Sequence, residues 1–226
     1  TGWKTPTGRA IRLMPVGDSI TAMQGESSSG FYTLPGKITG RQLVTVGSQS
    51  GYNGAAHEGH GAWCADDTNG RCTHTNGFHA GGVIQNIAGW LTTYTPDCVT
   101  LNIGTNDRFV QNGWDDTQIV SAIGRILDIA KATRPSCFIL CTGLRYLSEV
   151  PGGYSDNAAF NAQLEALCTT RANAGDAVGY FNAYSGFSSA ADFDGGSDYV
   201  HPSQQGVAKM MTATAAALNA LFTARA

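Results

Sequence analysis

With 226 residues, 42% of them hydrophobic, the chain is long enough for one large domain with a substantial core, and a disordered chain is excluded. Charged residues make up only 14%, against roughly 25% in an average soluble protein, and 29 glycines with many Ser, Thr and Asn take over the surface chemistry, a leaning that suits secretion. A net charge of -3 supplies no basic field to meet phosphates or an anionic bilayer, so neither nucleic acid nor membrane is an expected partner.

From the N-terminus onward, short apolar runs alternate with longer amphipathic ones. "IRLMPV" at 11–16, "QLVTVG" at 42–47, "CVTLNIG" at 98–104, "CFILCTG" at 137–143 and "AVGYFN" at 177–182 read as five strands. Near-continuous hydrophobicity marks strands covered on both faces, and the spacing between them leaves room for crossover helices, so the sheet is expected to be parallel. Helices are expected near 31–40 and 81–93. "DDTQIVSAIGRILDIAKATR" at 115–134 sets Ile119, Ile123, Ile126, Leu127 and Ala130 on one stripe, with Asp at its start, Lys and Arg at its end, and Pro135 to stop it. Further helices group Phe160, Leu164, Leu167 and Cys168, then Val207, Met211, Leu218 and Phe222. The predicted fold class is α/β, a doubly wound five-stranded parallel sheet in a three-layer α/β/α sandwich, with one domain spanning 1–226.

The six cysteines include no Cys-x-x-Cys pair, which favours disulfides over zinc. Cys64 and Cys72 enclose "CADDTNGRC", a polar loop that packing alone cannot hold, and are expected to pair. For the other four, Cys98 with Cys137 and Cys141 with Cys168 is the expectation. Disulfides imply an oxidising compartment, and "TGWKTPTGRA" has no signal-peptide core, which fits a mature, processed extracellular protein. The apolar C-terminal stretch is interrupted by Thr and Asn and is too short to span a bilayer.

In doubly wound folds the ligand sits beyond the carboxyl ends of the strands. There the chain reads Gly17-Asp18-Ser19, Gly104-Thr105-Asn106-Asp107 and Asp198-Tyr199-Val200-His201-Pro202. Ser19 fits a polar turn, Asn106 a turn residue, and Asp198 with His201 a helix cap. Together they also fit nucleophilic catalysis: His201 can take the Ser19 proton while Asp198 holds its ring in the right tautomer. Oxyanion donors are then required, and the Asn106 amide, the Ser19 N–H and the Gly-rich "HEGHGAW" at 57–63 are the candidates.

These blocks resemble the SGNH (GDSL-type) hydrolases. "VGDSIT" looks like the nucleophile block, "NIGTND" like the third block and "DYVHPS" like the last. The resemblance assigns Ser19, His201 and Asp198 to a catalytic triad and Asn106 to the oxyanion hole. "PVGDSIT", "HEGH-x-x-W" and "GTND" are closer still to carbohydrate esterase family three, whose members are acetyl xylan esterases. That likeness implies a flavodoxin-like three-layer fold and a secreted deacetylase acting on acetylated xylan or xylo-oligosaccharides without a metal. One block departs from the pattern: where Ser-Gly-Trp is expected, the chain reads Gly61-Ala62-Trp63. A left-handed backbone nearly requires glycine, so Gly61 is taken as the donor, with Ala62 its rival.

Four of the five histidines, His57, His60, His74 and His79, crowd one segment beside Asp66 and Asp67. "HEGHG" is not His-Glu-x-x-His, and a hydrogen-bonded, disulfide-closed loop is preferred to zinc. "ADDTNG" matches an EF-hand loop only in its middle; no cofactor is expected, and structural calcium stays open. Trp63, Trp114 and Tyr199 are candidate sugar contacts, whereas Trp90, on a predicted helix, reads as core. Gln24 to Gly30 reads as a groove wall. The expected partner is an acetylated plant polysaccharide and the expected state a monomer. Rival readings are a lipase or lysophospholipase on the same fold, which needs a wide apolar mouth, and an inactive carbohydrate-binding relative.

Overall fold

In the computed structural model, which describes residues 3–73, 81–108, 113–144, 157–188, 190–194 and 200–225, the apolar runs become the strands of one sheet. In chain order these are β1 (Ile11–Gly17), β2 (Leu43–Thr45), β3 (Gln49–Ser50), β4 (Ala56–Gly59), β5 (Cys98–Asn102), β6 (Phe138–Thr142) and β7 (Val178–Phe181). All five expected strands form, and every pairing among them is parallel. Two short strands add to them. Val16 and Gly17 of β1 pair with Leu101 and Asn102 on one edge and with Glu58 and Gly59 of β4 on the other. β2 pairs with Ile11 to Leu13 on that same second edge, so β2 and β4 share one sheet position in succession. β3 closes the order β3-β4-β1-β5-β6-β7 by an antiparallel pair with β4.

The sheet is apolar on both faces because successive residues point to opposite sides. Met14, Val16, Val99, Leu101, Ile139 and Cys141 join one core; Ile11, Leu13, Cys98, Phe138 and Leu140 join the other. The first core is covered by α2 (Val83–Tyr94), α3 (Asp116–Thr133) and α4 (Ala158–Asn173), and the second by α5 (Gln204–Ala224) with Ile20 of α1 (Ser19–Glu26). This is the three-layer sandwich of the sequence pattern. Along α5, Val207, Met210, Met211, Leu218 and Phe222 are each at most 3% exposed; at about 2 kcal/mol per side chain, that burial is on the order of 10 kcal/mol before entropy.

Helix ends follow local chemistry. Asp115 accepts the Gln118 N–H at 2.8 Å while the Gln118 side chain accepts the Asp115 N–H, a capping box that starts α3. Ser203 caps α5 through the Gly206 N–H. The helix expected near 31–40 is instead two 3-10 turns, Phe31–Thr33 and Pro35–Lys37. Gly30, Pro35 and Gly36 punctuate the segment too closely for an α-helix.

Cys64 and Cys72 form the expected disulfide. The other two expected bridges are absent: Cys98, Cys137, Cys141 and Cys168 are buried thiols. Cys98 is level with Phe138, so Cys137 stands one residue out of register and faces the opposite core. Their sulfurs bond instead to the Val99 and Phe138 carbonyls. Cys141 and Cys168 share a core as hydrogen-bonded thiols, and that contact with burial pushes the Cys141 thiol well up. No helix among the described residues is long and apolar enough to cross a membrane.

Candidate active site

The carboxyl ends of β1, β4 and β5 converge. β1 ends at Gly17, where an added Cβ would stand 2.1 Å from the Asn102 carbonyl oxygen and 2.3 Å from Thr21 Oγ1, so only glycine lets the chain turn there. Asp18 follows as the N-cap of α1, its Oδ1 accepting the Ile20 N–H at 2.9 Å, and Ser19 is the first helical residue. The Ser19 N–H therefore belongs to the helix N-terminus, where donors point outward and the dipole favours negative charge.

His201 arrives from the other end of the chain, just before Ser203 opens α5. Its Nε2 lies 2.8 Å from Ser19 Oγ. Hydroxyl and imidazole at this separation are a nucleophile and its base, since the ring can take the proton as the oxygen attacks. Asp198 and Tyr199 lie outside the described residues.

Gly59 of β4 sits opposite Gly17, and the His60 N–H donates to the Gly17 carbonyl at 3.0 Å, so the "HEGHGAW" segment is carried directly beside Ser19. The turn closes by Trp63 N–H to His60 carbonyl at 3.3 Å. Within it the left-handed residue is Ala62, with φ of 67°, while Gly61 lies outside that region. The alanine thus occupies the position that suits glycine, and Gly61 is an exposed neighbour. Asn106 opens a 3-10 turn after β5, is buried, and donates from Nδ2 to the Trp63 carbonyl at 2.9 Å. That bond fixes the amide, which carries a second N–H.

Beneath these loops lie two carboxyls to which sequence reading assigned no role. Asp107 is buried and accepts the Ala65 N–H with both oxygens at 3.0 Å, tying the third loop to the second. Burial pushes its carboxyl up to about 7, and the nearby Asp18 adds to the shift. Burial likewise pushes Asp18 up to about 6. The signal was present: "GDS" and "GTND" each set an Asp within a few residues of an apolar strand end, where burial is expected.

The histidine cluster is structural where it is described. His60 Nε2 meets Glu58 Oε2 at 2.8 Å, and Glu58, fully buried, also accepts from the Ser48 hydroxyl at 2.8 Å. The His60 ring stacks on Trp63 at 4.2 Å and on Trp90 at 5.3 Å, which braces the turn. Burial lowers the His57 pKa, and its Nδ1 accepts the Gly59 N–H. His74 and His79 lie outside the described residues. Although burial opposes its charge, hydrogen bonds from Thr68, Gln85 and Arg125 draw the Asp66 carboxyl down to about 2. Among the described residues no three His, Cys, Asp or Glu side chains are grouped as metal ligands. Trp63 is half-buried, whereas Trp114 is buried with the Arg71 guanidinium 4.4 Å over its ring.

A mostly parallel sheet with helices on both faces carries, at its carboxyl edge, the serine-histidine contact of a nucleophile and its base. Residues 16–209 match the GDSL-like Lipase/Acylhydrolase family, and the chain belongs to it. The fold is similar to that of a carbohydrate esterase family 3 protein from Talaromyces cellulolyticus, at 22% identity and a TM-score of 0.74, covering 96% of this chain and 100% of that one. It is similar also to a Clostridium thermocellum family 3 carbohydrate esterase, at 24% identity and a TM-score of 0.71, with coverage of 96% and 100%. An acetyl esterase mutant crystallised with acetate ion aligns at 20% identity and a TM-score of 0.72, again covering 96% and 100%. No curated protein sequence matches significantly.

Proposed function

We propose that this protein is a secreted serine carbohydrate esterase that removes O-acetyl groups from acetylated xylan or xylo-oligosaccharides. The observation that carries the chemistry is the 2.8 Å contact between Ser19 Oγ and His201 Nε2. Ser19 attacks the acetyl carbonyl as His201 takes its proton, and Asp198, three residues earlier, orients the imidazole. The tetrahedral oxyanion is held by the Ser19 N–H, the Asn106 amide and an amide of the Gly61-Ala62 turn. His201 then protonates the leaving sugar oxygen. Water, deprotonated by the same ring, attacks the acetyl-enzyme, and acetate leaves as Ser19 regains its proton. No metal takes part.

Likeness to family 3 carbohydrate esterases supports the choice of an acetylated sugar. Low charge, the Gly-rich composition and the Cys64–Cys72 disulfide support secretion. Trp63 and Tyr199 are proposed as substrate contacts; Trp114, buried under Arg71, acts in this reading by supporting the rim.

The test is acetate release from acetylated xylan by the wild type and by Ser19→Ala. Normal release by the variant, or preference of the wild type for long-chain esters over acetyl esters, would overturn the proposal; the second outcome would point to a lipase.

A further inference from the structure

A groove of about 460 Å³ is lined by residues that neighbour Ser19 and His201 in the chain. On α1 its wall is Met23 and Glu26, with Ser27 at the C-cap. Met23 and Glu26 fall four and seven positions after Ser19, so both share its helical stripe. At 1.5 Å per residue, Met23 and Glu26 stand roughly 6 and 10 Å along the axis from Ser19. The opposite wall is Pro202, Ser203 and Gln204, which follow His201 directly. Asp194, also on the groove, donates its N–H to the His201 carbonyl at 2.8 Å. The depression therefore opens between the neighbours of both reacting groups.

Tyr52 also lines the groove. It sits on a 3-10 turn brought against the end of α1 by Gly51, where an added Cβ would stand 2.3 Å from the Gly25 carbonyl oxygen. Tyr52 is 44% exposed, and its ring packs edge-on against that of Tyr32, itself 47% exposed, at 5.5 Å. Among the described residues these two and Val44 are the exposed large hydrophobic side chains. Single exposed rings are unremarkable, but here two meet, one of them on the groove.

We infer that this groove binds the sugar backbone flanking the acetylated residue, with the Tyr52 ring as a stacking platform for a pyranose. A pyranose presents C–H bonds on its faces and hydroxyls around its edge. The Tyr52 face suits the former, and the Glu26 carboxylate and Gln204 amide suit the latter. Tyr32 holds the platform upright.

The inference rests on the proposed carbohydrate substrate, so its test uses xylohexaose, which has no ester and is read by calorimetry independently of catalysis. Tyr52→Ala is expected to weaken xylohexaose binding ~10-fold, a loss of ~1.4 kcal/mol. Tyr52→Phe, which keeps the ring, is expected to bind close to wild type, as is Val44→Ala, whose side chain lies off the groove. The KM for acetylated xylan is expected to rise with Tyr52→Ala in parallel. Equal binding of xylohexaose by wild type and Tyr52→Ala overturns the inference. So does absence of xylohexaose binding, whether or not the enzyme deacetylates xylan. If no acetate is released from xylan yet Tyr52→Ala still weakens xylohexaose binding, the groove assignment stands and the proposed reaction fails.

Discussion

Ser19 and His201 are 182 positions apart in the chain, yet their side chains meet at 2.8 Å across the gap between the starts of α1 and α5. The two act on one proton, so their losses are not expected to add. Ser19→Ala and His201→Ala should each lower kcat by roughly 10³-fold or more, and the double variant should fall no further than the worse single one. Initial rates on p-nitrophenyl acetate decide it: a double variant losing the product of both factors speaks against a shared proton.

Ala62 holds a φ of 67°, a conformation that costs a residue with a Cβ about 1 kcal/mol or more. Ala62→Gly removes that strain but gives the unfolded chain more freedom, worth about 0.5–1 kcal/mol the other way. The net effect expected on ΔG of unfolding lies between zero and a gain of about 1 kcal/mol. Ala62→Val, branched at Cβ, is expected to destabilise clearly. Urea midpoints for the two variants should therefore separate with that sign.

Asp18 and Asp107 are fully buried, and burial raises their carboxyls from 3.8 to about 6 and about 7. At low pH both folded and unfolded chains keep these protons, and the groups cost nothing. As pH rises past about 4, the unfolded chain releases protons that the fold retains, so stability falls until the folded carboxyls ionise near pH 6 and 7. The loss expected is about 3 kcal/mol for Asp18 and about 4 kcal/mol for Asp107. Asp107→Asn should flatten this decline, since its carbonyl can still accept from Ala65. Denaturation midpoints across the acidic to neutral range check it, and an unchanged slope in the variant counts against the assignment.

The Cys64–Cys72 bridge closes a loop of sequence separation 8 that abuts the left-handed turn, with Cys72 Sγ 3.3 Å from the Ala62 carbonyl. Replacing both cysteines by serine should lower stability by about 2–3 kcal/mol. The remaining cysteines are buried thiols. Thiol titration should find none reactive in the folded protein and all four after denaturation; fewer on denaturation would mean that Cys141 and Cys168 are oxidised.

Periodicity along the chain was enough to determine the five apolar strands and α2 to α5, because burial on both faces of a sheet and on one stripe of a helix writes itself into residue order. The motifs "GDSIT" and "GTND" marked Ser19 and Asn106 for the same local reason: each directly follows an apolar strand. β4 was not legible, since "AHEG" has no apolar pattern and pairs with β1 through only Val16 and Gly17. Nor was the choice between Gly61 and Ala62, which depends on a single backbone angle set by the closure of the 60–63 turn. Cys98 and Cys137 looked like partners until strand register put them on opposite faces. Tertiary structure narrowed the groove wall expected at Gln24 to Gly30: Gln24, Gly25 and Gly30 are buried, and Glu26 to Ser28 line a groove together with Tyr52. Local propensity records which residues are buried, whereas which exposed residues from distant segments face one another is decided only when the sheet has assembled.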